Sequence, residues 1–268
     1  FSVAAARYSV ARARHRGVDV EVYHHPGHAR NVARVLEAAT AALDHCVSRY
    51  GPYPLPQLRI AEVPAASLGA GGFALPGVVY LSEDRAFLID AEAPGRIDLL
   101  AKRVAHEVSH QWWGHQLAPA PGPGAAALVE TLARHTELRV LGALRGPGTV
   151  ERVLDRELSL YLAGRTGGDE VPLAEVRHQA YLFYAKGALA MADLDTLAGE
   201  EAVDGALRGL LEDSRASGNA PTARDLLDAL LRATPLERRP RVEEWWTRTG
   251  LPESPVGRAP AAAQGSSR

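Results

Sequence analysis

The chain has 268 residues, 46% of them hydrophobic, and a formal net charge of -2. That length holds a sizeable core and one or two domains, and near-neutral charge gives no electrostatic reason to expect nucleic acid or an anionic membrane as a partner. No apolar run is long enough to span a bilayer, and the single cysteine, Cys46, excludes an intrachain disulfide.

Residues 2–14 and 18–23 are β-leaning runs around Arg16-Gly17 and predict a hairpin. A long helix is expected over 27–50, where Val32, Val35, Leu36, Ala39, Ala42, Leu43 and Val47 recur at helical spacing. Cys46 lies in that stretch and reads as a small buried hydrophobe. Gly51-Pro52-Tyr53-Pro54 ends the helix, 58–63 reads as a strand, 65–72 as a Gly/Ala-rich loop and 77–81 as a second strand. A helix is expected over about 96–116, then a stiff loop at Pro119, Pro121 and Pro123. Further helices are expected near 124–144, 149–163, 179–197, 200–213, 222–232 and 241–249, with Trp245 and Trp246 anchoring the last. The Pro/Ala/Gly/Ser-rich residues 251–268 read as a disordered tail. Few strands first and many helices after predict an α+β fold. The chain begins at Phe1 with strand-like sequence and reads as a segment of a longer protein.

The chemistry concentrates in His106-Glu107-Val108-Ser109-His110, inside the helical stretch marked by Ile97, Leu100, Val104 and Val108. Residues four apart share a helix face, so His106 and His110 can reach one metal ion, with Glu107 beside them to hold a water. Hydrolytic zinc sites use three protein ligands and leave one position open. Glu130 is a third candidate, because its neighbours are apolar at helical spacing and an inward carboxylate needs a partner. Among the aromatic residues Tyr181, Phe183 and Tyr184, core packing is the simplest reading of the bare sequence.

The run His106 to Gly114, His-Glu-x-x-His-Gln-Trp-Trp-Gly, with the downstream Glu130, resembles the membrane alanyl aminopeptidase family of gluzincins. Closer still is the likeness to the peptidase-like domain of some bacterial ABC-transporter permease proteins. It is carried by residues 20–28, Gly51-Pro52-Tyr53-Pro54, residues 104–116 and Tyr184-Ala185-Lys186-Gly187. The resemblance implies a thermolysin-like zinc metallopeptidase domain over 27–250, mostly helical after a small mixed sheet, preceded in 1–26 by the end of a truncated N-terminal β domain. It implies one Zn2+ held by His106, His110 and Glu130, with Glu107 as general base and Tyr184 as hydrogen-bond donor to the oxyanion. The substrate would be a peptide, lying along the strand that ends near Ser82. Membrane-spanning segments would belong to the same longer protein.

Two departures matter. Nineteen residues separate His110 from Glu130, one more than the family's usual spacing, and the extra residue is expected in the Pro-rich loop. The family's Gly-x-Met-Glu-Asn motif aligns with Gly71-Gly72-Phe73-Ala74-Leu75, so Ala74 replaces the Glu that binds a substrate's amino terminus. Gly71, Gly72 and Ala74 are thus weak substrate-binding candidates, and exopeptidase and endopeptidase readings both stay open. So does a reading from another class, a catalytically idle zinc module that binds peptides or regulates a transporter. Epoxide hydrolysis, a third reading, rests on one distant relative. His24, His25 and His28 are read as turn residues, His115 as a residue behind the site or on the surface, and Glu83 as a solvated strand-end carboxylate.

Overall fold

The computed structural model describes residues 2–69, 71–91 and 96–252. Alternation builds its sheet. In β2 (Val18–His24) the residues Val18, Val20 and Val22 are buried while Asp19 points outward. In β3 (Gln57–Val63) Leu58 and Ile60 are buried, and in β5 (Val78–Ser82) Val79 and Leu81 are. With β1 (Ser9–His15) and β4 (Gly72–Leu75) the order is β1-β2-β3-β5-β4. The pairs β1/β2 and β4/β5 are antiparallel, whereas β2/β3 and β3/β5 are parallel. Strands from both sides of residue 26 share this sheet.

Helices dominate the rest, and the fold is α+β. Helix α1 (Val32–Tyr50) buries Val35, Ala38, Ala39, Ala42, Leu43 and Cys46 along one stripe, as its periodicity predicts. Helix α2 (Leu99–Ser109) packs on α1, on β4 and on α3 (Leu132–Arg145). Then follow α4 (Pro147–Arg165), α5 (Gly187–Ala198), α6 (Glu200–Ser217), α7 (Ala223–Ala233) and α8 (Arg239–Thr247). Trp245 and Trp246 are buried, and Trp245 Nε1 donates to Asp193 Oδ2 at 2.7 Å, tying α8 to α5. Among the described residues no helix is long and apolar enough to cross a membrane. All but the first two residues of the expected tail lie outside the described residues.

Several boundaries differ from the sequence reading, each for a local reason. Helix α1 begins at Val32 and not at 27, because the Asn31 side chain is drawn away: its amide donates to the carbonyls of Ala86, Phe87 and Ile89 at 2.8–3.0 Å. Residues 72–75 form a strand at the end of the expected loop 65–72, because β5 supplies their partners. Helix α2 stops at Ser109, where the N–H groups of Trp112 and Trp113 turn back to the Ser109 carbonyl and Gly114 takes φ 109°. The helices expected over 124–144 and 179–197 each open with a π turn, Ala127–Thr131 and Tyr181–Lys186.

Asp98 fixes the start of α2. Its carboxylate accepts from the Ala101 N–H at 2.9 Å, from Arg34 of α1 at 2.7 Å and from Arg145 of α3 at 2.9 Å. Burial opposes its charge, but these three donors outweigh burial and hold its pKa below the ordinary 3.8. The unfolded chain therefore takes up this proton first as pH falls. The stabilisation is complete well above 3.8 and is lost as pH drops through the depressed folded value. Replacing Asp98 by Ala should lower stability at neutral pH by about 1–3 kcal/mol in denaturant titrations. In thermal melts from pH 7 down to pH 3, that deficit should shrink at the acid end.

Candidate active site

His106 and His110, one helical turn apart on α2, put their Nε2 atoms 3.3 Å from each other. The π turn before α3 brings in Glu130, whose Oε2 lies 3.2 Å from His106 Nε2 and 3.6 Å from His110 Nε2. Zinc at bond lengths of about 2.0–2.1 Å in tetrahedral geometry needs ligand atoms about 3.3–3.5 Å apart, and these three meet that spacing. Glu130 Oε2 is buried with no hydrogen-bond partner among the described residues, as befits an atom meant for an ion. The donor set, two imidazoles and a carboxylate, suits Zn2+. Residue by residue, then, the arrangement fits the expected ligands.

The far side of each imidazole is also held. His110 Nδ1 lies 3.0 Å from the Trp113 carbonyl, so it carries the proton and leaves Nε2 free for the site. His106 Nδ1 lies 3.4 Å from Glu137 Oε2, within ion-pair range but outside hydrogen-bond geometry. Glu137 is gripped by Lys102 at 2.8 Å and by Arg134 at 2.8 Å, and Arg134 also binds the buried Glu157 at 2.9 Å. Sequence reasoning missed this network of two cations and two anions. Its signal was present as spacing: Lys102 is four residues before His106, and Arg134 and Glu137 are four and seven after Glu130.

The site's charges respond to one another. Burial opposes a charge on His106, but the close carboxylates of Glu130 and Glu137 raise its pKa to about 10. Burial and the neighbouring His106 charge push His110 down to about 4. Desolvation also works against the Glu130 charge, yet His106, His110 and Tyr184 hold its carboxyl below the ordinary value. Glu107 is raised to about 7, first by burial, with Glu130 and Glu137 adding to it against the pull of His106 and Arg103.

Glu107 faces the edge strand. A Cβ on Gly72 would collide with the Glu107 carboxylate, and one on Gly71 with the Arg103 guanidinium, so both glycines let β4 close on α2. The cleft between them is about 600 Å3 and is bordered by Gly71, Gly72, Ala74, Glu107, Glu130 and Tyr184. Strand β5 is interior to the sheet, between β3 and β4. The sequence reading lays the peptide along the strand ending near Ser82, but both edges of that strand are already paired; the edge facing the cleft is that of β4.

Tyr184 sits in the second π turn, its ring 5.9 Å from that of His106 and under Arg134 at 5.3 Å. Burial, then the Glu130 carboxylate within hydrogen-bond range, raise its phenol well above the usual value, so it stays a donor. The two π turns are bound together: Thr131 Oγ1 donates to the Phe183 carbonyl at 2.7 Å, and a Cβ on Gly187 would collide with Thr131. Lys186, fully buried, ties the same turn to Glu170 at 3.2 Å and to the Arg248 carbonyl at 2.8 Å. Of the Tyr184-Ala185-Lys186-Gly187 stretch, Lys186 and Gly187 thus position Tyr184 against Glu130. The π turn also offers the extra residue between His110 and Glu130 a place other than the Pro-rich loop, since one π turn holds one residue more than an α turn.

Trp112 and Trp113 are fully buried and donate to the Gly51 carbonyl and to Thr136 Oγ1, so packing accounts for them. His115 borders the cleft beside Ala74, and burial lowers its pKa. His28, Glu62 and Glu83 form a second group of potential donors, but each has protein partners: Glu62 accepts from His28 and the His25 N–H, and Glu83 from the Ala65 N–H. Glu83 is half-buried just past β5, where it also braces the loop at Ala65.

Residues 34–246 match the peptidase family M1 domain. The chain belongs to peptidase family M1. Its membership supports a peptidase, a hydrolase of a family usually dependent on zinc. No curated protein matches the chain.

Gly187→Ala should drive Thr131 from the Phe183 carbonyl and shift Tyr184 from Glu130, with a stability loss of about 1–3 kcal/mol from overpacking. Denaturant melts read the first effect, and a rise in Tyr184 ring mobility by NMR reads the second.

Proposed function

We propose that this chain is a zinc-dependent metallopeptidase of thermolysin-like design, with His106, His110 and Glu130 as metal ligands. The observation that carries this reading is the convergence of three donor atoms within 3.6 Å of one another in a cleft that borders an exposed strand edge. Zinc bound there would supply Lewis acidity, acidifying a water and polarising a carbonyl.

The rest of the chemistry belongs to the chain. The peptide backbone adds to β4, with Gly71 and Gly72 allowing close approach. Glu107, adjacent to the ligands and desolvated, takes a proton from the attacking water and delivers it to the leaving amine. Burial favours its protonated form, which helps it to receive the proton. Tyr184, held neutral, donates to the oxygen on which negative charge develops. Arg134, pinned by Glu137 and Glu157 and stacked on Tyr184, keeps that ring in place.

Ala74 and Leu75 offer no anion for a substrate's amino terminus, which favours binding through the peptide backbone and internal cuts over strict removal of single residues. The likeness to permease-linked domains makes a membrane-tethered setting in a longer protein part of the same proposal. The other reading, an idle zinc module, is favoured by those two residues and opposed by Glu107, which such a module does not need.

The zinc-loaded protein is expected to contain one zinc per chain by elemental analysis, and Glu130→Gln to lose most of it. Metal removal by chelation should lower the melting temperature, because zinc binds the folded state. Mixed peptides, half of them N-acetylated, are expected to be cut internally, with Glu107→Gln slower by about 100-fold or more. Zinc retention with equal behaviour of wild type and Glu107→Gln on every peptide would establish the idle module instead.

A further inference from the structure

The cleft's charges cancel everywhere but on one wall. Lys102 and Arg134 are matched by Glu137 and Glu157. Arg103 of α2 and Arg156 of α4 also border the cleft, and among the described residues no carboxylate lies within ion-pair distance of either. Arg103 is desolvated there; it donates to the Arg85 carbonyl, and the carboxylates of Glu107, Glu137 and Asp84 act on it only from beyond ion-pair distance. Both arginines also border an adjoining cavity of about 500 Å3, walled by Ile89, Ile97 and Leu99. Arg96 lines that cavity too, again with no carboxylate partner among the described residues, while its one acid, Asp90, is taken by Arg30 at 2.9 Å. A hollow with an apolar floor, rimmed by the exposed Arg96 and Arg156 beside the half-buried Arg103, suits a carboxylate, which accepts charge-assisted, bidentate bonds from arginine.

The direction of β4 says which part of a peptide meets this wall. The strand begins against Arg103 and Glu107, at Gly71 and Gly72, and ends where Gln111 Nε2 donates to the Leu75 carbonyl at 2.9 Å. A peptide added antiparallel, the more stable pairing per residue, runs the opposite way. Its C-terminal portion then passes Gly71 and reaches the arginines.

We propose that Arg103, Arg156 and Arg96 form an anion subsite that selects peptides with a carboxylate on the C-terminal side of the cut bond. The carboxylate is either an Asp or Glu side chain or the peptide's own C-terminus. This subsite rests on the peptidase reading for its effect on turnover, but not for its effect on binding.

The test uses one parent peptide in matched forms, with Glu or Gln at successive positions on either side of the bond and a free or amidated C-terminus. Binding is read by calorimetry on zinc-loaded Glu107→Gln protein, and turnover on the wild type. An acid C-terminal to the bond is expected to tighten binding and raise kcat/KM about tenfold over its amide, and Arg156→Gln in either background to bring that ratio to within about twofold of one. Loss of the preference on amidation would assign the C-terminal carboxylate; its persistence would assign the side chain. Equal binding of all forms, a preference on the N-terminal side, or a preference that survives both Arg156→Gln and Arg103→Gln would overturn the subsite. Anion-dependent binding without any cleavage would leave the subsite standing and remove the peptidase reading.

Discussion

Two imidazoles and a carboxylate crowded into a desolvated corner are the constraint on which the rest of this structure depends. A buried charge without a partner is costly, and here the two imidazoles and the Glu130 carboxylate stand close enough to offset one another. The surrounding architecture holds that arrangement in place. Asp98 pins the start of α2 to α1 and α3. The Trp113 carbonyl and Glu137 steady the outer nitrogens of the two histidines, and Lys102, Arg134 and Glu157 steady Glu137. The chain has two lysines, Lys102 and Lys186, and both are buried in ion pairs beside the site.

The π turns serve the same end. A wide turn leaves backbone groups that neighbouring segments must satisfy, and its geometry costs stability unless packing repays it. Here the repayment is mutual, since Thr131 of one turn binds the Phe183 carbonyl of the other across the contact that Gly187 leaves open. Glu130 and Tyr184 are thereby placed on two locked segments and not on separate loops. A rigid setting is what electrostatic catalysis requires, because donors that must reorganise lose much of their effect.

Much of this was legible in the residues. The valine alternation of β2 and the apolar stripe of α1 follow from side-chain periodicity alone, and both elements form where that periodicity points. His106 and His110 were readable as a pair because helix geometry brings residues four apart together, and Glu130 as an inward carboxylate because its neighbours are apolar. The structure brings these three together and sets Glu107 and Tyr184 beside them. Strand β4 was not legible, since Gly72-Phe73-Ala74-Leu75 has little intrinsic β preference and exists because β5 supplies its hydrogen bonds. The π turns were equally hidden, because their apolar pattern over a few residues is that of an α-helix.

The sequence by itself determined which residues stand ready for chemistry: two histidines a helical turn apart, a neighbouring glutamate and a further carboxylate, in a chain of peptidase family M1. Those features are local, set by spacing along one chain segment. Only the tertiary structure decided which strand edge faces the cleft, which acids and bases cancel around it and which arginines have no ion-paired carboxylate among the described residues. Those outcomes depend on contacts between segments distant in the chain, such as Arg34 with Asp98 and Arg134 with Glu157. Their energies come from burial and mutual compensation, which no single stretch of sequence contains.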